Sequence, residues 1–216
     1  IALVFLLNPA ETLKKARDAQ RISDLKTVKT ALGIMLTASS TPSLDNFGAI
    51  CLTSTTVAGV NSLNTAGAKI AYSVNPAPSL AAAIPSGSDN GTTSFIIGAQ
   101  YSTATAGKVD GTGWIPVNLK ALTGGTPISS FPVDPVNTVS ATLAKTDLVY
   151  RYACQNGTGT GVVAGKPAYI FEIDAVLESS AYTIDDSKMT KDGGDNDDKY
   201  ESGNSLNLLP ITAALF

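Results

Sequence analysis

Residues 8–38, NPAETLKKARDAQRISDLKTVKTALGIMLTA, decide the fold class of this chain. Asn8 is placed to cap a helix, Pro9 to fill its first position where no N–H is needed, and Glu11 to close a capping box. Beyond them Leu13, Ala16, Ile22, Leu25, Val28, Leu32 and Met35 recur at three- or four-residue steps, with Ala19 filling the gap, which predicts one apolar stripe. Lys14, Lys15, Arg17, Asp18, Arg21, Asp24, Lys26 and Lys29 fall on the other faces and are expected to keep them wet. Glu11 with Lys15 and Lys14 with Asp18 are spaced for weak four-apart pairs. A helix from Pro9 to about Ala38 is about 45 Å long at 1.5 Å per residue, longer than most globular domains need.

Immediately upstream lies IALVFLL, residues 1–7, apolar on every side. A membrane span takes about 18–20 apolar residues, so this run does not cross a bilayer alone. It has no basic segment before it and no small-residue cleavage site after it, so it does not read as a signal peptide. The expectation is the tail of a longer apolar helix, with Asn8 and Pro9 as a kink or interruption, since proline clashes with the preceding turn.

The 216 residues suffice for one domain or two, each with a real core. Apolar residues make up 44%, but charged residues only 15%, and Ser, Thr, Ala, Gly and Asn fill the difference. Such a surface fits secreted and cell-surface proteins better than cytosolic enzymes. A net charge of −3 gives no global footprint for nucleic acid, and no specific nucleic-acid partner is expected. The chain has no histidine, which removes Ser-His-Asp, Cys-His and zinc-hydrolase chemistry together. No nucleophile–base constellation can be assembled from what remains, and the expectation is not an enzyme. Cys51 and Cys154 are the only cysteines. They are two unrelated thiols or one disulfide made in an oxidising compartment; the composition favours the disulfide, which would stabilise by about 4–5 kcal/mol in the chain-entropy model.

In the second half, LVYRYAC (148–154) and AYIFEIDAVL (168–177) alternate and are rich in Tyr, Val, Ile and Phe, as half-buried strands should be. The Gly-rich QNGTGTGVVAGKP between them predicts a hairpin loop; its glycines lack a phosphate-loop pattern. TSFIIGAQYS (93–102) reads as a further strand, and 39–112 otherwise as a long Ser/Thr/Gly-rich insertion folded on the head. Asn90 and Asn156 each open an Asn-Gly-Thr triplet, which turn composition explains better than glycosylation does. Asp192, Asp195, Asp197, Asp198 and Glu201 cluster beside Gly193, Gly194 and Asn196. Calcium takes six to eight oxygens at about 2.3–2.6 Å, and the loop supplies oxygens on a bendable backbone, although its spacing departs from the EF-hand pattern. The two readings, a calcium loop and a solvated acidic loop, stand side by side.

The run from Ile1 to Leu32, with KKARDAQRISDL its most characteristic part, resembles the back half of the N-terminal helix of type IV pilins and of the major pseudopilins of secretion systems. GWIPVNL (113–119), FPVDPVN (131–137), LVYRYAC, YIFEIDAVLES (169–179) and DGGDNDDKYESGNSLNLL (192–209) come in the order of pseudopilin-like heads, so the resemblance covers about 1–37 and 113–209. Residues 1–7 contain no prepilin-peptidase site, N-terminal Phe or early Glu, so the front half of the family's helix is expected to precede Ile1. The resemblance implies an α+β fold: a pilin-type helical spine, residues 1–38 with 1–7 as filament-core part, packed on an antiparallel β-sheet head, residues 39–216. It implies a structural subunit of an extracellular filament, serving adhesion, motility, DNA uptake or secretion. Ile1, Leu3, Val4, Phe5, Leu6 and Leu7 would pack the filament core, and Asn8 and Pro9 would interrupt the helix. Partners would be identical subunits in a helical homopolymer, an inner-membrane assembly machinery, and the membrane before assembly. No cofactor is required; calcium at the Asp192–Asp198 loop is what the resemblance adds, because pseudopilin heads carry a calcium loop near this place. Two alternatives are a secretion pseudopilin and a membrane-anchored module that binds carbohydrate or another surface.

Overall fold

A computed structural model describes residues 8–46, 50–51, 54–57, 60–63, 68–74, 84–85, 94–99, 103–140, 144–156 and 168–209. The filament-core residues Ile1, Leu3, Val4, Phe5, Leu6 and Leu7 lie outside them, as do Asn90 and the Gly-rich loop 157–167. One long helix, α1 (Pro9–Ala38), precedes eight strands: β1 (Ser54–Val57), β2 (Val60–Leu63), β3 (Ala68–Tyr72), β4 (Ile84–Pro85), β5 (Ser94–Ala99), β6 (Arg151–Gln155), β7 (Ile170–Ala175) and β8 (Tyr200–Gly203). β1 and β2 form a small hairpin; the other six make one sheet in the order β4-β5-β3-β6-β7-β8. From β3 through β8 the four strands β3, β6, β7 and β8 are antiparallel, as an α+β fold requires. The expectation of a purely antiparallel sheet needs one correction, because β3 and β5 pair in parallel. Twenty-one residues separate the end of β3 from the start of β5, ample for the crossover that a parallel pair demands, and that stretch includes β4. Thus the region 39–112 contributes strands to the same sheet as the C-terminal half.

α1 starts where its cap predicts. Asn8 adopts a left-handed conformation, which Asn tolerates, and its Oδ1 accepts the Glu11 N–H at 3.4 Å. Glu11 does not close the capping box; its carboxylate accepts the backbone N–H and hydroxyl of Ser180 instead. The last turn has no basic residue and ends at Ser39, whose N–H donates to the Met35 carbonyl.

The helix lies across one face of the sheet. Leu25, Val28, Ala31, Leu32 and Met35 pack there with Trp114, Ile115, Tyr150, Tyr152, Phe171 and Ile173. Each large side chain so buried stabilises by about 1.5–3 kcal/mol. The phrase GWIPVNL supplies the lid: Trp114, Ile115, Val117 and Leu119 are all buried, and the Trp114 Nε1–H donates to the Pro132 carbonyl at 2.8 Å. Cys51 and Cys154 are joined in a disulfide with Cα atoms 4.6 Å apart, tying the segment after α1 to β6 across 103 residues.

Two expectations change here. β6 and β7 are buried on both faces rather than half-buried, because α1 covers one face and the segment after β8 closes the other. The apolar stripe of α1 also fails at its N-terminal end. Leu13 is 61% exposed and Ala16 exposed, whereas Asp18 and Arg21, expected in water, are fully buried. The face that meets the head runs through Asp18, Arg21, Leu25, Val28, Leu32 and Met35, so the buried stripe continues past Leu25 in charged residues.

Candidate functional site

Three features stand out on this scaffold, and the first is a polar seam between α1 and the head. Arg21 sits at its centre with no solvent exposure. Its Nε and Nη2 donate to the two carboxylate oxygens of Asp134 at 2.7 and 3.0 Å, and its Nη1 donates to Asp18 at 2.8 Å and Glu178 at 2.6 Å. This two-pronged geometry is what a planar guanidinium does best. Asp134 belongs to the FPVDPVN phrase, whose prolines hold an open turn; its Oδ1 also accepts the N–H groups of Val136 and Asn137. One carboxylate therefore shapes the turn and anchors the helix.

Asp18 makes the same kind of double connection. Its oxygens accept the N–H groups of Glu178 and Ser179 at 2.7–3.1 Å, at the point where the chain leaves β7 for the turn 181–185. Arg17 adds a bidentate pair with Glu178 at 2.8 Å, and Asp24 accepts the Tyr150 hydroxyl at 2.8 Å. The titrations follow from these contacts. Burial disfavours the charge on Arg21, but the carboxylates of Asp134, Glu178 and Asp18 outweigh it and its pKa is raised. The Arg17 hydrogen bond, helped by Arg21, holds Glu178 below the usual carboxylate range. Burial raises Asp24 despite its Tyr150 bond.

The second feature is the sheet face turned away from α1. Arg151 and Asp174 are cross-strand neighbours on β6 and β7, joined bidentately at 2.7 and 2.8 Å and almost fully buried. Beside them Glu172 is fully buried and its Oε2 accepts the N–H groups of Leu208 and Leu209, which fastens the segment after β8 onto the sheet. Its other oxygen meets no N–H or hydroxyl donor among the described residues. Burial and the neighbouring Glu201 push Glu172 well above the carboxylate range; burial likewise moves Glu201 up to about 7 and Lys199 down to about 7. Lys199 donates to the Lys145 carbonyl. In this dry layer Arg151 and Asp174 satisfy each other, and one oxygen of Glu172 satisfies the backbone.

The third feature is the acidic loop. Its four candidate ligands do not converge. Asp192 turns both oxygens to the backbone, accepting Gly194 N–H at 2.9 Å and Glu201 N–H at 2.7 Å. Asp198 pairs with Lys145 at 2.9 Å, while Asp197 is exposed and Asp195 half-buried. Gly194 is required for close approach, since a Cβ there would collide with the Glu201 carboxylate. Among the described residues no three of His, Cys, Asp and Glu gather as a metal cage. In this arrangement the loop is a hydrogen-bonded cover for the end of β8. Asn156 is likewise accounted for, its amide bonding Leu44 N–H and the Asp45 carboxylate inside the protein.

Sequence reading brought together neither the seam nor the far-face charges. The signals were present: Asp18 and Arg21 are three apart on the face that Leu25 and Val28 continue, Asp134 sits between prolines, and Glu172 and Asp174 alternate with Phe171 and Ile173. No family model, curated protein or solved structure matches the chain. Among the described residues no helix is long and apolar enough to cross a membrane.

Proposed function

We propose that this chain is a structural subunit of an extracellular, type IV pilus-like filament, as a pilus or a secretion pseudopilus, assembled by packing the apolar ends of its helices around a shared axis. The observation that carries the reading is the condition of α1 near its start. Its first two turns stand largely in solvent, Leu13 is 61% exposed, and the seven residues directly upstream in sequence are all apolar. Aliphatic side chains of that density do not stay wet, and copies of the same rod are the natural partner. The seam fits this role, because a head that hangs on one long helix needs a rigid joint, and interlocked bidentate ion pairs fix direction as well as distance. Each neighbour contact between helices is weak alone; several per subunit add to a stable polymer. In this reading no residue turns over a substrate.

Electron microscopy of material sheared from cells that make the protein tests it, together with sedimentation of the purified full chain without detergent. Thin fibres of uniform diameter and fast-sedimenting polymer are expected. A dispersed monomer with no fibres from either source overturns the proposal.

A further inference from the structure

At the C-terminal end of α1 the chain encloses a cleft of about 350 Å³. We propose that it binds a neutral, polyhydroxylated ligand of the saccharide class. The inference is independent of the filament reading.

The lining selects the ligand. Ser39, Thr41, Asn46 and Asn118 present hydroxyls and amides, Met35 and Leu122 add apolar surface, and among the described residues no charged side chain takes part. An anion entering here would find no cation and would face the negative end of a 30-residue helix whose last turn has no basic residue to neutralise it. An organic cation would be drawn to that end, yet among the described residues no carboxylate lines the cleft to match its charge. Sugar hydroxyls donate and accept at once, and so do the groups of the wall. Beyond the Met35 carbonyl, which the Ser39 N–H occupies, the last carbonyls of a helix lack intrahelical donors, so a ligand that brings donors is favoured there. The apolar patches suit the C–H face of a sugar ring.

Asn118 adds a specific contact. Its Oδ1 is closed to solvent and meets no donor among the described residues, and its side chain makes no cap bond to the short turn 119–121. Asn118 also lines the cleft, so a ligand hydroxyl that reaches its amide there supplies a hydrogen bond the protein does not. The volume lies at the lower end for small-molecule sites, room for about one or two sugar rings.

Ligand-observed saturation-transfer NMR on the full chain tests this, since it reads dispersed and polymerised protein alike. The probes are glucose, galactose, N-acetylglucosamine and maltose, against choline and inorganic phosphate. At least one sugar should give a saturable response with Kd on the order of 1 mM, and choline and phosphate none. Asn118→Leu removes the amide, and Ser40→Phe fills the cleft from its exposed rim; each should weaken the response about tenfold or more, with unchanged circular dichroism. Silence from all four sugars overturns the proposal. So does a sugar response that survives both variants, or a stronger response from choline or phosphate.

Discussion

The two halves of α1 dock on the same head by different physics. From Leu25 to Met35 the helix is held by shape: Leu25, Val28, Ala31, Leu32 and Met35 bury against Trp114, Tyr150, Tyr152 and Phe171. From Glu11 to Asp24 it is held by charge and hydrogen bonds to Ser180, Glu178, Asp134 and Tyr150, while its apolar Leu13 faces solvent. An apolar contact tolerates small rotations, whereas a guanidinium between three carboxylates does not. The N-terminal half thus fixes the angle at which the rod leaves the head, and the C-terminal half supplies most of the adhesion.

The strongest way to break that distinction is Arg21→Leu. It leaves Asp18 and Asp134 buried around a missing cation, with Glu178 still paired to Arg17, and a loss of about 3–5 kcal/mol in chemical denaturation is expected. A loss under about 1 kcal/mol would show that the seam adds orientation without holding the halves together. Leu32→Ala follows, with a cost of about 2–5 kcal/mol from lost burial and a residual cavity, and with no dependence on salt or pH.

Acid should separate the halves next. Glu178 is held below its ordinary value of 4.5, so its stabilising contribution is complete above that pH and is lost as pH falls through the lowered folded value. Amide protection, corrected for the intrinsic exchange rate at each pH, should therefore fall in residues 9–24 more than in 25–38 between pH 6 and pH 3. An equal loss of protection in both would mean that the ion pairs do not govern the local opening. The smallest stability effect belongs to Leu13→Ser, within about 0.5 kcal/mol because the side chain touches little. The same variant should reduce the yield of sedimenting polymer, and a yield equal to the parent's would remove Leu13 from the assembly surface.

Much of the fold was legible because its signals are local. Asn8-Pro9 marks a helix start through backbone chemistry, the spacing from Leu25 to Met35 marks a packed face, and the alternation in YIFEIDAV marks a strand. The polar half of the seam was hidden by a sound rule applied without the partner. Asp18 and Arg21 read as solvated because burying a charge is costly, and nothing local says that Asp134 and Glu178, 113 and 157 residues from Arg21, arrive to compensate it. Glu172 and Asp174 were missed for a related reason: one-sided alternation says which residues share a face, not whether a later segment covers it. The acidic run was visible, but composition does not reveal that Asp192 turns to backbone amides.

The sequence by itself determined the long helix, its apolar C-terminal face, the strands of the β6–β7 hairpin and the wholly apolar run before Asn8, since each depends on the nature and spacing of neighbouring residues. Only the tertiary structure decided which charges go dry, which face of the sheet is closed by the segment carrying Leu208 and Leu209, and that β5 joins β3 in parallel. Those outcomes depend on groups far apart in the chain meeting within hydrogen-bond distance, and the desolvation of a charge is acceptable only once its partner is in place.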